Sequence, residues 1–132
     1  MYNNKMWFTS ICLFITSLFS CQQKGGNFET VSVDTFAEVI SDPSVQRLDV
    51  RTVAEYSEGH IPGSLNINVL DDEHFAQISD SALDRNRPVA LYCRSGKRSK
   101  KAAQILSGKG FKVYELGSGF NGWKEAGQAV EK

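Results

Sequence analysis

Along the chain the hydrophobic pattern changes character twice. From Met6 to Phe19 it is almost uninterruptedly apolar, broken only by a few hydroxyls, and shows no polar face of helical period. Residues 22–27, Gln-Gln-Lys-Gly-Gly-Asn, are polar and glycine-rich. From Phe28 onward, short apolar runs alternate with amphipathic stretches. The runs predict strands over 28–33, 45–50, 65–69, 88–92 and 111–116. The amphipathic stretches predict helices between them. The first spans 34–40, capped by Asp34, with Phe36, Val39 and Ile40 on one face. A short helix over 54–57 precedes a Gly59–Gly63 bend. A polar helix over 71–83 turns Phe75, Ile78 and Leu83 inward. A helix over 98–106 carries Ala102, Ile105 and Leu106 on one stripe and is stopped by Gly108 and Gly110. A last short helix covers 119–126. Pro88-Val89-Ala90-Leu91-Tyr92 is the clearest strand, a continuous apolar run suited to a parallel strand covered on both faces. Strands alternating with helices predict an α/β fold with a central, mainly parallel sheet.

The first twenty residues carry one charge, Lys5, ahead of the apolar stretch. That stretch is shorter than the roughly 20 apolar residues a membrane-spanning helix needs, and it reads as a signal peptide. The alternative, an N-terminal core helix, lacks the polar face such a helix would show. Leu18-Phe19-Ser20-Cys21 resembles the lipobox of bacterial lipoproteins, although Phe19 is bulkier than the usual residue there. The chain then divides into a signal peptide over 1–20, a lipidated tether over 21–27 and one domain over 28–132. Lipidation of Cys21 would place the protein in the bacterial cell envelope, held at a membrane facing the periplasm or in the outer membrane. An ordinary cleaved signal with a coincidental cysteine is the plainer alternative.

Charge adds little. Lys and Arg number 15, Asp and Glu 15, so nothing in the balance points to a nucleic-acid partner. The three cysteines say more. Cys12 leaves with the signal and Cys21 takes the lipid, so Cys93 is left without a disulfide partner. A lone thiol in an oxidising compartment is a liability unless buried or used.

Cys93 directly follows the apolar strand and opens the segment Cys93-Arg94-Ser95-Gly96-Lys97-Arg98-Ser99, which leads into a helix. In open α/β sheets ligands bind beyond the carboxyl ends of strands. Curled-loop amides, the helix dipole and three cations would each favour a thiolate there, which predicts a lowered Cys93 pKa. Gly96 would permit the curl. A buried cysteine serving only as packing is the bland alternative, but three cations within five residues are out of place around a core position.

Cys93-Arg94-Ser95-Gly96-Lys97-Arg98 resembles the Cys-x-x-Gly-x-Arg active-site loop of rhodanese-type sulfurtransferases. Two further stretches resemble that family: Leu48-Asp49-Val50-Arg51 with Glu55-Tyr56 and Gly59-His60-Ile61-Pro62-Gly63-Ser64-Leu65-Asn66-Ile67, and Gly119-Phe120-Asn121-Gly122-Trp123-Lys124-Glu125-Ala126-Gly127. The resemblance implies a rhodanese-like fold with a central, mainly parallel five-stranded sheet flanked by helices. It implies a ping-pong reaction in which Cys93 takes sulfane sulfur from a small donor such as thiosulfate and passes it to a thiol or cyanide acceptor. Arg94 and Arg98 would grip the donor's sulfonate, Lys97 would add field at the mouth, and Ser95, Gly96 and Ser99 would line the substrate site. Asp49 and Arg51 would support the loops around it. His60 would pin its bend and Trp123 would pack in the core. No metal and no cofactor are required. Two other readings stand beside this one. One is a non-enzymatic persulfide carrier or partner-binding module of the same shape. The other is a phosphatase or arsenate reductase, disfavoured because such loops read Cys-x5-Arg and residue 99 is Ser.

Overall fold

Strands and helices alternate along a computed structural model that describes residues 27–132. The expected signal segment, Cys21 and the tether up to Gly26 lie outside the described residues. The elements run β1 (Glu29–Val31), α1 (Val33–Ile40), β2 (Gln46–Asp49), α2 (Val53–Glu58), β3 (Leu65–Asn66), α3 (Asp72–Ala82), β4 (Val89–Tyr92), α4 (Lys97–Gly108), β5 (Val113–Leu116) and α5 (Gly119–Glu125). The strands form one sheet in the order β1-β5-β4-β2-β3, and every pairing is parallel. None of the helices among the described residues is long and apolar enough to cross a membrane.

The central strand β4 is buried throughout and feeds both faces of the sheet. Because strand side chains alternate in direction, Val89, Leu91 and Cys93 join the core cluster containing Phe75 of α3 and Ala102, Ala103 and Leu106 of α4. Ala90 and Tyr92 join the opposite cluster, with Phe36 and Ile40 of α1 and Phe120 and Trp123 of α5. Parity alone therefore puts the cysteine on the α4 side of the sheet, at the carboxyl end of its middle strand.

The structure moves several predicted boundaries. Helix α1 is capped by Ser32, whose hydroxyl accepts from the Thr35 amide, and the expected cap Asp34 lies in the first turn. This also ends β1 before residues 32 and 33. Strand β3 keeps only two residues, but the chain follows β2 further: the Ile67 and Val69 amides donate to the Asp49 and Val50 carbonyls at 3.0 and 3.1 Å. In α3 the buried stripe steps from Phe75 to Ser79 and on to Leu83, leaving Ile78 40% exposed at its edge. Helix α4 runs two residues past Leu106, so Gly108 belongs to it and Gly110, at φ +97°, makes the turn.

Candidate active site

Cys93 is 1% exposed, yet its sulfur does not end in hydrocarbon. The Gly96 amide donates to Sγ at 3.1 Å, and the Ser99 hydroxyl lies 3.4 Å away. The loop is curled by its neighbours. The amides of Phe120 and Asn121, at the start of α5, donate to the carbonyls of Cys93 and Arg94 at 2.8 and 3.0 Å. Those carbonyls are thereby turned away from the sulfur, and the loop amides are left facing it. Two glycines make this possible. Gly96 sits at φ +103°, where a side chain would be strained, and a Cβ on it would strike the Gly117 carbonyl. A Cβ on Gly119 would strike the backbone of Arg94 and Ser95.

Gly96 is also the residue before α4, and that helix end has no side-chain cap. Its first amides and the positive end of its dipole are thus directed at the loop. Burial pushes the Cys93 thiol up, while the Ser99 hydroxyl and the amides of Ser99, Gly96 and Ser95 pull it down, and the balance lies below an ordinary cysteine. Local hydrogen bonds are the largest lowering contributions. Arg98 adds to this through its charge, since the Cys93 sulfur in turn raises the Arg98 guanidinium.

Those charges are arranged unequally. Arg94 and Lys97 are exposed, and neither side chain has a hydrogen-bonding or ionic partner among the described residues. Arg98 instead meets Glu55 of α2 in a two-pronged ion pair at 2.8 and 3.0 Å. Glu55 is itself fixed by Thr52, as the distal half of the capping box that starts α2. The Arg98 pair and this cap hold the Glu55 carboxyl at about 2 against its ordinary 4.5. Arg98, expected to grip a donor anion, thus spends two of its N–H groups on Glu55 and staples α2 to the start of α4.

Asp49 and Arg51 form a buried pair at 2.7 Å at the end of β2. Arg51 also donates to the Gly59 carbonyl at 2.7 Å and lies over the Phe120 ring at 4.4 Å, so it joins the 59–63 bend to α5. His60 stacks on Tyr56 at 3.7 Å and stands 3.3 Å from Glu131. Trp123 is buried and donates its indole N–H to the Ala129 carbonyl. Beside the loop lies a cleft of about 340 Å³ whose wall includes Arg51, Glu55, Arg94, Phe120, Asn121 and Lys124. Arg94 belongs to both the cleft wall and the cysteine loop, while Cys93 is buried and is not part of the wall. Among the described residues, no group of three or more His, Cys, Asp and Glu side chains is placed to hold a metal ion.

Sequence reasoning missed Glu115. It is wholly buried, and it accepts from the Ser99 hydroxyl at 2.6 Å and the Thr30 hydroxyl at 2.7 Å, with Lys100 Nζ at 3.4 Å from both oxygens. The signal was present: positions 113 and 115 share one face of β5, and 113 is a core valine.

The sequence profile of the Rhodanese-like domain family matches residues 32–126. Thiosulfate sulfurtransferase GlpE of Shewanella oneidensis is 37% identical over 101 residues, covering 76% of this chain and 96% of that one. The Bacillus subtilis protein YrkF, whose name marks it as a candidate sulfur carrier, is 32% identical over 103 residues, covering 76% of this chain and 54% of YrkF. Among solved structures, the rhodanese-related protein of Thermoplasma volcanium superposes with a TM-score of 0.65 at 26% identity, over 79% of this chain and 98% of that one. The rhodanese-like domain of the Anabaena sp. Alr3790 protein shares the fold with a TM-score of 0.69 at 24% identity, over 80% of each chain.

Proposed function

Because the chain belongs to the rhodanese-like domain family of sulfurtransferases, we propose that it moves sulfane sulfur from thiosulfate to a thiophilic acceptor through a persulfide on Cys93. The observation that carries this reading is the inward-facing amide at 3.1 Å from Sγ, in a loop whose carbonyls are turned outward by α5. Such a ring of donors suits a sulfur anion one atom larger than a thiolate.

In the first step the Cys93 thiolate attacks the outer sulfur of thiosulfate. A new S–S bond forms, the old one breaks, and sulfite leaves with the electron pair. In the second step a thiol or cyanide attacks the outer sulfur of the persulfide, and Cys93 departs as thiolate. Arg94 and Lys97, whose charges are uncommitted, draw in the donor and hold its sulfonate end. The Arg98–Glu55 pair keeps the helix start in place beneath them.

Mass spectrometry of the full chain after exposure to thiosulfate is the direct test. The Cys93 peptide is expected to gain the mass of one sulfur, and Cys93→Ser to gain nothing. Sulfur acquired from mercaptopyruvate but not from thiosulfate would overturn the donor assignment. The likeness to YrkF favours a second reading, in which Cys93 delivers its sulfur to a protein partner only. Turnover with cyanide or small thiols speaks for the enzyme, and a persulfide that small acceptors leave intact speaks for the carrier. We further propose that Cys21 is lipidated and tethers the domain in the bacterial envelope, as the Leu18-Phe19-Ser20-Cys21 pattern suggests. Incorporation of labelled palmitate into the wild-type chain, lost in Cys21→Ser, tests this.

A further inference from the structure

The Ser99 hydroxyl stands between two groups that both want its one proton. On one side is Cys93 Sγ at 3.4 Å, on the other Glu115 Oε2 at 2.6 Å. A hydroxyl carries a single donor hydrogen. The shorter contact has the length of a hydroxyl donating to a charged carboxylate. In this arrangement Ser99 accepts from the neutral thiol, and it can bond the thiolate only by turning its proton from the carboxylate to the sulfur. We propose that Glu115 competes with the Cys93 sulfur for the Ser99 proton, so that ionisation of the sulfur depends on where that one hydroxyl proton points. Glu115 is on this account a positioning residue, acting on the reacting atom through Ser99.

The surroundings leave few other ways to settle the competition. Glu115 is wholly buried, with Thr30 of β1 at 2.7 Å and Lys100 of α4 at 3.4 Å as its remaining partners. The Lys100 side chain is itself 52% exposed, so water weakens it as a counter-charge. Other charges near the pair are spoken for or turned outward. Arg98 is shared with Glu55, and Arg51 with Asp49. Arg94 and Lys97 in the loop, Asp34 and Glu38 of α1, Glu29 of β1 and Lys124 of α5 are exposed. When the sulfur ionises, Ser99 can turn to it only by abandoning the carboxylate, which then rests on Thr30 and Lys100 alone. The carboxylate thus acts as a brake on the thiolate that the amides promote.

This inference rests on Cys93 as the reacting thiol, but its test needs no sulfur donor, so a failure to use thiosulfate would leave the outcome readable. Glu115→Gln keeps the shape and an acceptor for Thr30, removes the charge, and offers Ser99 an amide donor that turns the hydroxyl proton to the sulfur. The ultraviolet absorbance of the Cys93 thiolate, taken as the difference from Cys93→Ser, is followed against pH. The midpoint in Glu115→Gln is expected to fall by about one pH unit or more. An unchanged or raised midpoint would overturn the proposal. In a Ser99→Ala background the same substitution is expected to move the midpoint by half as much or less, and a full shift there would remove the hydroxyl from the account. The wild-type chain supplies a check that needs no altered carboxylate. The carboxyl carbon NMR resonance of Glu115 is expected to inflect at the pH where the thiol ionises and to lose that inflection in Cys93→Ser. A resonance blind to the thiol would refute the coupling.

Discussion

Replacing Glu55 by Gln, and Arg98 by Ala, separately and together, measures what the α2–α4 staple contributes. The two side chains are 26% and 24% exposed and meet through bonds of 2.8 and 3.0 Å. Glu55 sits near 2 instead of 4.5, chiefly because Arg98 bonds its ionised form. At about 1.4 kcal/mol per pH unit, that depression is worth on the order of 3 kcal/mol. Part of it belongs to the Thr52 cap, and solvent reaches the pair, so the Arg98 share is reduced to about 1–2 kcal/mol. A double-mutant cycle in urea unfolding at neutral pH is expected to return a coupling energy of that size. The folded carboxyl is the stronger acid, so its stabilisation is complete above the unfolded value of 4.5 and drains away as the pH falls toward 2. The advantage of wild type over Glu55→Gln should shrink over that window. A coupling below about 0.3 kcal/mol, typical of pairs with no net effect, or an advantage indifferent to acid, would refute the staple.

Three further outcomes follow from the same geometry. Arg94→Ala should slow persulfide formation from thiosulfate by about tenfold, the effect of losing roughly 1.4 kcal/mol of anion binding, and the deficit should shrink with added salt. An equal slowing in uncharged donors would argue against a charge role. Asp49→Asn leaves Arg51 buried without its counter-ion and should cost about 3–5 kcal/mol, read as a lowered denaturation midpoint. Ser79→Ala should raise stability by about 1 kcal/mol, because that hydroxyl is buried with no hydrogen-bond partner among the described residues; a loss in a urea melt would show that the hydroxyl is satisfied after all.

The sequence by itself determined the alternation of elements, the buried central strand and the position of Cys93 at its end, because these depend on local period and on residues adjacent in the chain. The glycine at 96 and the three family stretches were legible for the same reason. Tertiary structure decided how the charges are used. Arg98 and Glu55 lie 43 positions apart, and Thr30 and Glu115 85 apart. Only the sheet order, which sets β1 beside β5 and β5 beside β4, brings the second pair within bonding distance, and α4 lays Ser99 on the same Glu115. A cation's spacing along the chain says that it is near an anion site. How its charge is shared there depends on which distant carboxylate the fold lays against it, as Glu55 is laid against Arg98.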